Sequence, residues 1–377
     1  MSNIPDIRSV NDVKGKRVLV RASLNVPIKD GVVNDDFRLK RMLPTIALLR
    51  EQGARIILLG HVGREKRETL RPVFNYLNKL FPISFSEKII GPSVSDAVGS
   101  LSNGEVLLLE NVRQDGREIL NSNDFSKDLA SLGEIYVNDA FAESHREHSS
   151  IVGIPHYLPS YAGLELLNEI KSLQSALTPA HPSLFALGGA KFETKQPLVE
   201  KFLDIYDCIF VGGALANDFF KARGYALGRS LVSGTDFDLS TLLNNKKIVL
   251  PIDVVVENET GVCRTTKPTD VSSLEAILDM GPKTVEMLIS RAREAEFILW
   301  NGPFGNYERG FSEQTEVFAK ALASLSAPSV IGGGDTVASI EKLNLLDKFS
   351  FVSIGGGAML DYLLNGTLPG IEALRKD

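Results

Sequence analysis

LFALGGAKFETKQPLVEKFLDIYDCIFVGG, residues 184–213, decides the fold. Residues 184–187 form an uninterrupted apolar run closed by Gly188-Gly189. Residues 195–205 then carry apolar side chains at helical spacing, and a second apolar run, 209–211, ends in Gly212-Gly213. Apolar strands without polar alternation, separated by helix-periodic stretches, indicate a parallel sheet covered on both faces. The pattern extends in both directions. It recurs at 248–250, 297–300, 329–331 and 351–354, and earlier at 17–21, 55–59, 83–85, 106–109 and 135–137. Helix-periodic stretches at 38–50, 70–80 and 312–325 lie among these runs. Two such series in 377 residues predict an α/β protein of two doubly wound domains with parallel sheets. Pro155 and Pro159 mark a loop, 164–177 reads as a helix, and Pro179 and Pro182 stop it. The expected division is an N-terminal domain over 1–160, a hinge helix over 161–177 and a C-terminal domain over 178–365.

Composition narrows the function. Apolar residues at 44% and charged residues at 23% are globular values. A net charge of −6 argues against a dedicated nucleic-acid binder, which is usually basic. The opening MSNIPDIRSV lacks the apolar core of a signal peptide, and runs such as 56–59 are too short to cross a bilayer. Only Cys208 and Cys263 occur, with no CxxC and no Cys/His cluster, so neither a zinc site nor a disulfide framework is indicated. A reducing, cytoplasmic setting without nucleic-acid or membrane partners is expected.

Charge and backbone freedom are unevenly distributed. Thirteen of twenty arginines and four of five histidines precede residue 175, whereas twenty of thirty-two glycines follow it. The first half therefore offers fixed cationic donors, and the second offers bare backbone N–H groups. Both bind phosphate or carboxylate, by different physics.

In open parallel sheets ligands bind beyond the carboxyl ends of the strands. In the first half those positions hold Ser23, Asn25, His61, Arg64, Glu110, Asn111, Arg113, Asn138 and Asp139. Arg21, Arg38 and Arg146, with His145 and His148, lie close by in the sequence. Five arginines on one edge repel each other unless an anion is bound, which points to a substrate bearing phosphate and carboxylate. In the second half the strand ends are Gly188-Gly189-Ala190-Lys191, Gly212-Gly213, Asn301-Gly302-Pro303, Gly332-Gly333-Gly334-Asp335-Thr336 and Gly355-Gly356-Gly357. Without Cβ atoms such loops approach phosphate closely. Neither GxxxxGK[ST] nor GxGxxG occurs, which removes the Walker loop, the dinucleotide fingerprint and the protein-kinase loop. Lys191 and Lys195, four apart, share one face at a helix start. Alone they read as a solvated pair; directly after an apolar strand and Gly-Gly they read as phosphate ligands. Asp335 and Thr336 suit Mg²⁺, which keeps several waters, or equally a helix cap. Glu308 reads as a solvated loop glutamate, or as an acceptor for ribose hydroxyls.

At this point the residues resemble a known family. KGKRVLVRASLNVP (14–27), FRLKRMLPTI (37–46), GHVGR (60–64), LLLENVR (107–113), YVNDAFAESHREHSS (136–150), ALGGAK (186–191), LPIDVVV (250–256), DMGPKT (279–284), ILWNGPFGNYE (298–308), IGGGDT (331–336) and SIGGGAMLDYLLNGTLPG (353–370) are similar to phosphoglycerate kinase segments in number, order and spacing. The resemblance implies two Rossmann-like domains, with 366–377 returning to the first. It implies that Ser23, Asn25, Arg38, His61, Arg64, Arg113 and Arg146 hold 3-phosphoglycerate. It implies that Lys191, Lys195, Gly212, Gly213, Asn301, Glu308, Gly333, Gly334, Asp335 and Thr336 hold ATP or ADP, with Asp335 as the Mg²⁺ ligand. The implied reaction is reversible phosphoryl transfer between 1,3-bisphosphoglycerate and ADP, by a monomer, after domain closure, with Arg38 and Lys191 as the catalytic cations. Some positions depart from the family. Its Arg-Val-Asp-Phe-Asn stands here as Arg21-Ala22-Ser23-Leu24-Asn25, and its Gly-Gly-Gly as Gly212-Gly213-Ala214. Its Gly-Val-Phe-Glu is Gly305-Asn306-Tyr307-Glu308, and its Ser-Thr-Gly-Gly-Gly is Ser353-Ile354-Gly355-Gly356-Gly357. A serine at 23 predicts a weaker substrate grip that Ser23→Asp improves. The alternative is a non-catalytic nucleotide or metabolite binder on the same scaffold.

Overall fold

The computed structural model describes residues 4–10, 12–190, 192–234 and 239–375. The chain forms two compact units, residues 1–171 with 365–377, and residues 172–364.

In the first unit β1 (Arg17–Ala22) is followed by a short hairpin, β2 (Ile28–Lys29) and β3 (Val32–Val33). Then come β4 (Arg55–Leu59), β5 (Ser84–Phe85), β6 (Val106–Leu108), β7 (Ile135–Asp139) and β8 (Ser160–Ala162). Six strands form one parallel sheet in the order β5-β6-β4-β1-β7-β8. Val18, Leu19 and Val20 of β1 are all buried, because helices cover both faces and no alternate residue meets water. On one face Val18, Val20, Ile56 and Leu58 pack in one core with Leu39, Met42, Ile46 and Leu49 of the helix Phe37–Glu51. Each such side chain contributes roughly 1.5–3 kcal/mol by leaving water. The strand order reverses between β1 and β7, so the loops after those two strands splay apart at the carboxyl edge, where open sheets bind ligands.

The helix Leu164–Leu177 begins in the first unit and ends in the second. Residues 161 and 162, expected in that helix, instead complete β8. Gly163 separates the two: its N–H donates to Asn138 O at 2.8 Å, and a Cβ there would lie 2.2 Å from Asp139 Oδ1. Asp139, at the end of β7, accepts from the Glu165 and Leu166 amides at 2.9 and 3.3 Å, satisfying donors that a helix start leaves open. Burial pushes its carboxyl up to about 6. Glu165 accepts from Arg41 Nε at 2.9 Å, and Glu169, one turn on, is also fully buried. The chain end returns to this unit. Leu368, Ile371 and Leu374 are buried, and the Gly370 amide donates to Ser144 O at 2.8 Å.

The second unit contains β9 (Ser183–Leu187), β10 (Cys208–Val211), β11 (Ile248–Val249), β12 (Val254–Glu257), β13 (Cys263–Thr266), β14 (Ala276–Met280), β15 (Phe297–Asn301), β16 (Ser329–Gly332) and β17 (Phe351–Val352). Six make a parallel sheet ordered β11-β10-β9-β15-β16-β17, whose order reverses between β9 and β15. The other three form an antiparallel sheet, β13-β12-β14, that the sequence reading lacks. Its edge strand, Cys-Arg-Thr-Thr, is almost wholly exposed and carries no apolar run to betray it. The two units are both doubly wound, as the apolar runs predict. Among the described residues no helix is long and apolar enough to cross a membrane.

Glu165 has its carboxyl pushed well up, first by burial and then by the neighbouring Glu169 charge. A folded-state pKa above the unfolded value near 4.3 gives stability that is present in acid and lost as pH rises through the folded value. The Glu165→Gln variant removes that ionisation. We expect its Tm to gain on the parent as pH is raised from about 5 to 9, by roughly 2–4 °C for each kcal/mol recovered. Thermal melts at a series of pH values check this; parallel curves for the two proteins would rule it out.

Candidate active site

At the carboxyl edge of the first sheet a buried polar network surrounds Arg21, the last residue but one of β1. Arg21 is 1% exposed. Its Nε donates to Ser150 Oγ at 2.9 Å, and one guanidinium nitrogen donates to Ala22 O. The other lies 3.1 Å from His61 Nδ1. Ser150 in turn donates to Glu118, a fully buried carboxylate that burial pushes up. The hydrogen bond from Arg21 makes Nδ1 of His61 the acceptor, which places the ring proton on Nε2. Burial, then the charges of Arg21, Arg113 and Arg146, hold the His61 pKa far below its ordinary value, so the ring is neutral. Its 3.8 Å approach to Glu143 is therefore not an ion pair. His61 Nε2 is buried without a partner among the described residues.

Arg113 follows β6 and is 9% exposed. Its terminal nitrogen donates to Gly63 O at 2.6 Å, and Nε is buried without a partner among the described residues. Burial, then Arg146 and Arg21, push its pKa down to about 10. Asn25 Oδ1 accepts from the Gly63 amide at 2.9 Å, and Arg38 donates to Asn25 O at 2.9 Å. Arg38 is half-buried in the first turn of the helix Phe37–Glu51, where a cation meets the positive end of the helix dipole. Arg146 is exposed, with Nε donating to His145, and Arg64 is exposed in the loop after Gly63. Ser23 is buried, and its hydroxyl donates to Glu143 at 2.6 Å. The sequence reading missed Glu143, because it named Asp139 at the strand end and passed over the second acid within YVNDAFAESHR.

In the second unit the loops after β9, β10, β15 and β16 meet over a cavity of about 460 Å³. Gly189, Gly213, Leu278, Phe304, Glu308 and Asp335 are among its walls. This volume suits a small-molecule ligand. Several glycines serve the contact between loops rather than open space. A Cβ on Gly188 would lie 2.2 Å from Pro303 O, and one on Gly302 2.4 Å from Gly188 O. Gly212 is likewise enclosed by Phe210 and Phe304. Gly334, by contrast, faces open space in the first turn of the helix Gly334–Lys342. Gly333, at φ +98, caps that helix, so Asp335 lies within its first turn and is not the cap. Thr336 Oγ1 is buried without a partner among the described residues. Asn301 is 3% exposed, with its amide donating to Met359 Sδ at 3.6 Å, so its side chain faces the core. Lys195 is buried and donates to Gly188 O, with its ammonium against Gly189 of the cavity wall. Lys191 lies outside the described residues.

A profile of the family described as phosphoglycerate kinase matches residues 7–366. The chain belongs to the phosphoglycerate kinase family. It is 39% identical over 390 residues to the phosphoglycerate kinase of Dictyoglomus turgidum, covering 99% of this chain and 98% of that one. It is 40% identical over 384 residues to that of Moorella thermoacetica, covering 96% and 97%. Among solved structures, phosphoglycerate kinase from Coxiella burnetii superposes with a TM-score of 0.85 at 36% identity, over 99% of both chains. That from Pyrococcus horikoshii gives 0.87 at 31% identity, over 98% of both. The phosphoglycerate kinase reaction is reversible phosphoryl transfer between 1,3-bisphosphoglycerate and ADP, a step of glycolysis with a carboxyl group as acceptor.

Lys195 supplies a test of whether nucleotide phosphates bind beside these loops. Burial pushes its ammonium down to about 8, partly offset by Asp335. Polyphosphate nearby will raise it toward the ordinary value near 10.4. Nucleotide binding at about pH 8.5 should therefore take up roughly half a proton or more. Calorimetry in buffers of different ionisation enthalpy measures this uptake. Lys195→Met should abolish it; uptake that persists in the variant would exclude Lys195 as the source.

Proposed function

We propose that the polar edge of the first unit holds 3-phosphoglycerate and the glycine-rich edge of the second holds ATP or ADP. The observation that carries the first half is the cation cluster around His61. Burial and then the charges of Arg21, Arg113 and Arg146 depress the histidine, burial and then Arg146 and Arg21 depress Arg113, and among the described residues two buried donors, His61 Nε2 and Arg113 Nε, are without partners. Buried donors left open cost free energy that an anionic ligand recovers. Asn25, Arg38 and Arg64 complete the set of substrate ligands, and Ser23 acts through Glu143. A substrate with a phosphate and a carboxylate gives two anionic ends to this cluster.

In the second unit the cavity takes the nucleoside. Its apolar wall, including Leu278 and Phe304, suits a base, and Glu308 at the exposed rim suits ribose hydroxyls. Gly213, Gly333, Gly334 and Lys195 then face the phosphates. Asn301 and Gly212 support the loops that present those groups. Mg²⁺ fits the donor set, because the exposed carboxylate of Asp335 adjoins the unpartnered hydroxyl of Thr336. When bound with the nucleotide, Mg²⁺ neutralises phosphate charge.

A carboxylate attacking phosphorus needs no general base, and the neutral His61 serves as a donor. The work of the chain is to align the two substrates and to neutralise charge on the transferring group. We assign that neutralisation to Arg38 and Lys191. Because the substrates sit on separate units, transfer requires the units to close on each other and exclude water. The enzyme works as a cytoplasmic monomer.

Arg38→Ala and Lys191→Met should each lower kcat by roughly 100-fold or more, the scale of a lost electrostatic stabiliser. A coupled assay with ATP and 3-phosphoglycerate measures this. Near-normal turnover in both variants would refute the roles, and binding without turnover in the parent would favour the non-catalytic alternative.

A further inference from the structure

Glu143 stands apart from its neighbours by sign. It lies in the turn Phe141–Glu143 that follows β7, beside the point where the sheet order reverses. It is 3% exposed. Oε2 accepts the Ser23 hydroxyl at 2.6 Å, and Ser23 sits just beyond β1 on the other side of that reversal. This bond fixes the carboxylate across the switch point. Among the described residues Oε1 has no hydrogen bond, and it stands 3.8 Å from His61 Nδ1, itself an acceptor. The carboxylate thus presents an acceptor-only oxygen to a site otherwise built of donors.

The substrate's chemistry matches this asymmetry. 3-Phosphoglycerate is an acceptor at its phosphate and at its carboxylate, and those ends suit the arginines and His61 Nε2. Its one donor is the 2-hydroxyl, and an ionised carboxylate accepts such a donor more strongly than a neutral group does. We propose that Glu143 is a specificity-determining residue that accepts the hydrogen bond of the substrate's 2-hydroxyl, with Ser23 as the positioning residue that aims it. The inference rests on the first unit being the 3-phosphoglycerate site. The same geometry bears on Ser23→Asp. That change would set a second carboxylate against Glu143, so it weakens substrate binding, contrary to the expectation from sequence.

The test is a comparison of two ligands. Calorimetric Kd values are measured for 3-phosphoglycerate and for 3-phosphonooxypropanoate, the same molecule without its 2-hydroxyl. The full-length parent, Glu143→Gln and Ser23→Ala are compared. The parent should favour the hydroxylated ligand by roughly 10- to 100-fold, the scale of a hydrogen bond to a charged group. In Glu143→Gln that preference should fall to within about threefold, as expected when an interacting pair is deleted, and Ser23→Ala should lower it by roughly 3- to 10-fold. A purely structural or charge-balancing role would move both affinities together and leave their ratio intact, which would overturn the proposal. If Glu143→Gln does not fold, an unchanged ratio in Ser23→Ala overturns it equally. Failure of the parent to bind either ligand would instead reject the substrate site itself.

Discussion

Arg21 occupies the last turn of charge before β1 gives way to its loop, and it is almost wholly removed from water. A buried guanidinium without compensation is costly. Here the compensation is one-sided. Ser150, Ala22 O and, through Ser150, the carboxylate of Glu118 satisfy it from below. Its remaining face meets His61, which burial and then the Arg21 charge keep neutral, and it repels Arg113. That arrangement holds positive potential at the sheet edge while the fold underneath remains satisfied. The placement of His61 depends on it.

The second unit builds its strand-end edge from packed backbone, with the ammonium of Lys195 set against Gly188 and Gly189. Four strand-end loops converge so closely that Gly188 and Gly302 leave no room for side chains between them. The dense backbone packing fixes the loops, and fixed loops present their amides at no reorganisation cost during the reaction. Only then does the open first turn at Gly334 become useful. The glycine content of this half has two causes. Gly188, Gly212 and Gly302 permit loop-to-loop contact, and Gly334 keeps a helix start uncovered.

Much of this was legible in the sequence. Uninterrupted apolar runs such as 18–20 and 184–187 reported both parallel sheets, since only strands buried on both faces lack alternation. The strand-end rule then picked out residues that the structure places at the carboxyl edges of the two sheets. What escaped has physical reasons. The edge strand Cys263–Thr266 is exposed and polar, so no hydrophobic signal marks it. Asn301 sits at a strand end like a ligand, but strand pleating turns its side chain toward Met359. Sequence position identifies the edge of a sheet; it does not say which way an edge side chain faces. Ser23 was legible as a departure from a familiar pattern. Its partner Glu143 was not, because 120 residues separate the two and only the adjacency of β1 and β7 joins them.

That adjacency also explains why an acid is tolerated among arginines. A carboxylate fully paired with a guanidinium would cancel the positive potential of this edge. Glu143 is not so paired: one oxygen is committed to a neutral hydroxyl, and the other faces a neutral imidazole. The arginines contribute long-range attraction, which does not depend on the ligand's detailed shape. The short hydrogen bond from Ser23 contributes orientation, which does. On the proposed reading, charge gathers an anion to this edge, and a single fixed acceptor distinguishes one anion from another by the presence of a hydroxyl. The neutrality of His61 is the condition for both: a protonated ring would claim the carboxylate for itself and leave nothing for the ligand.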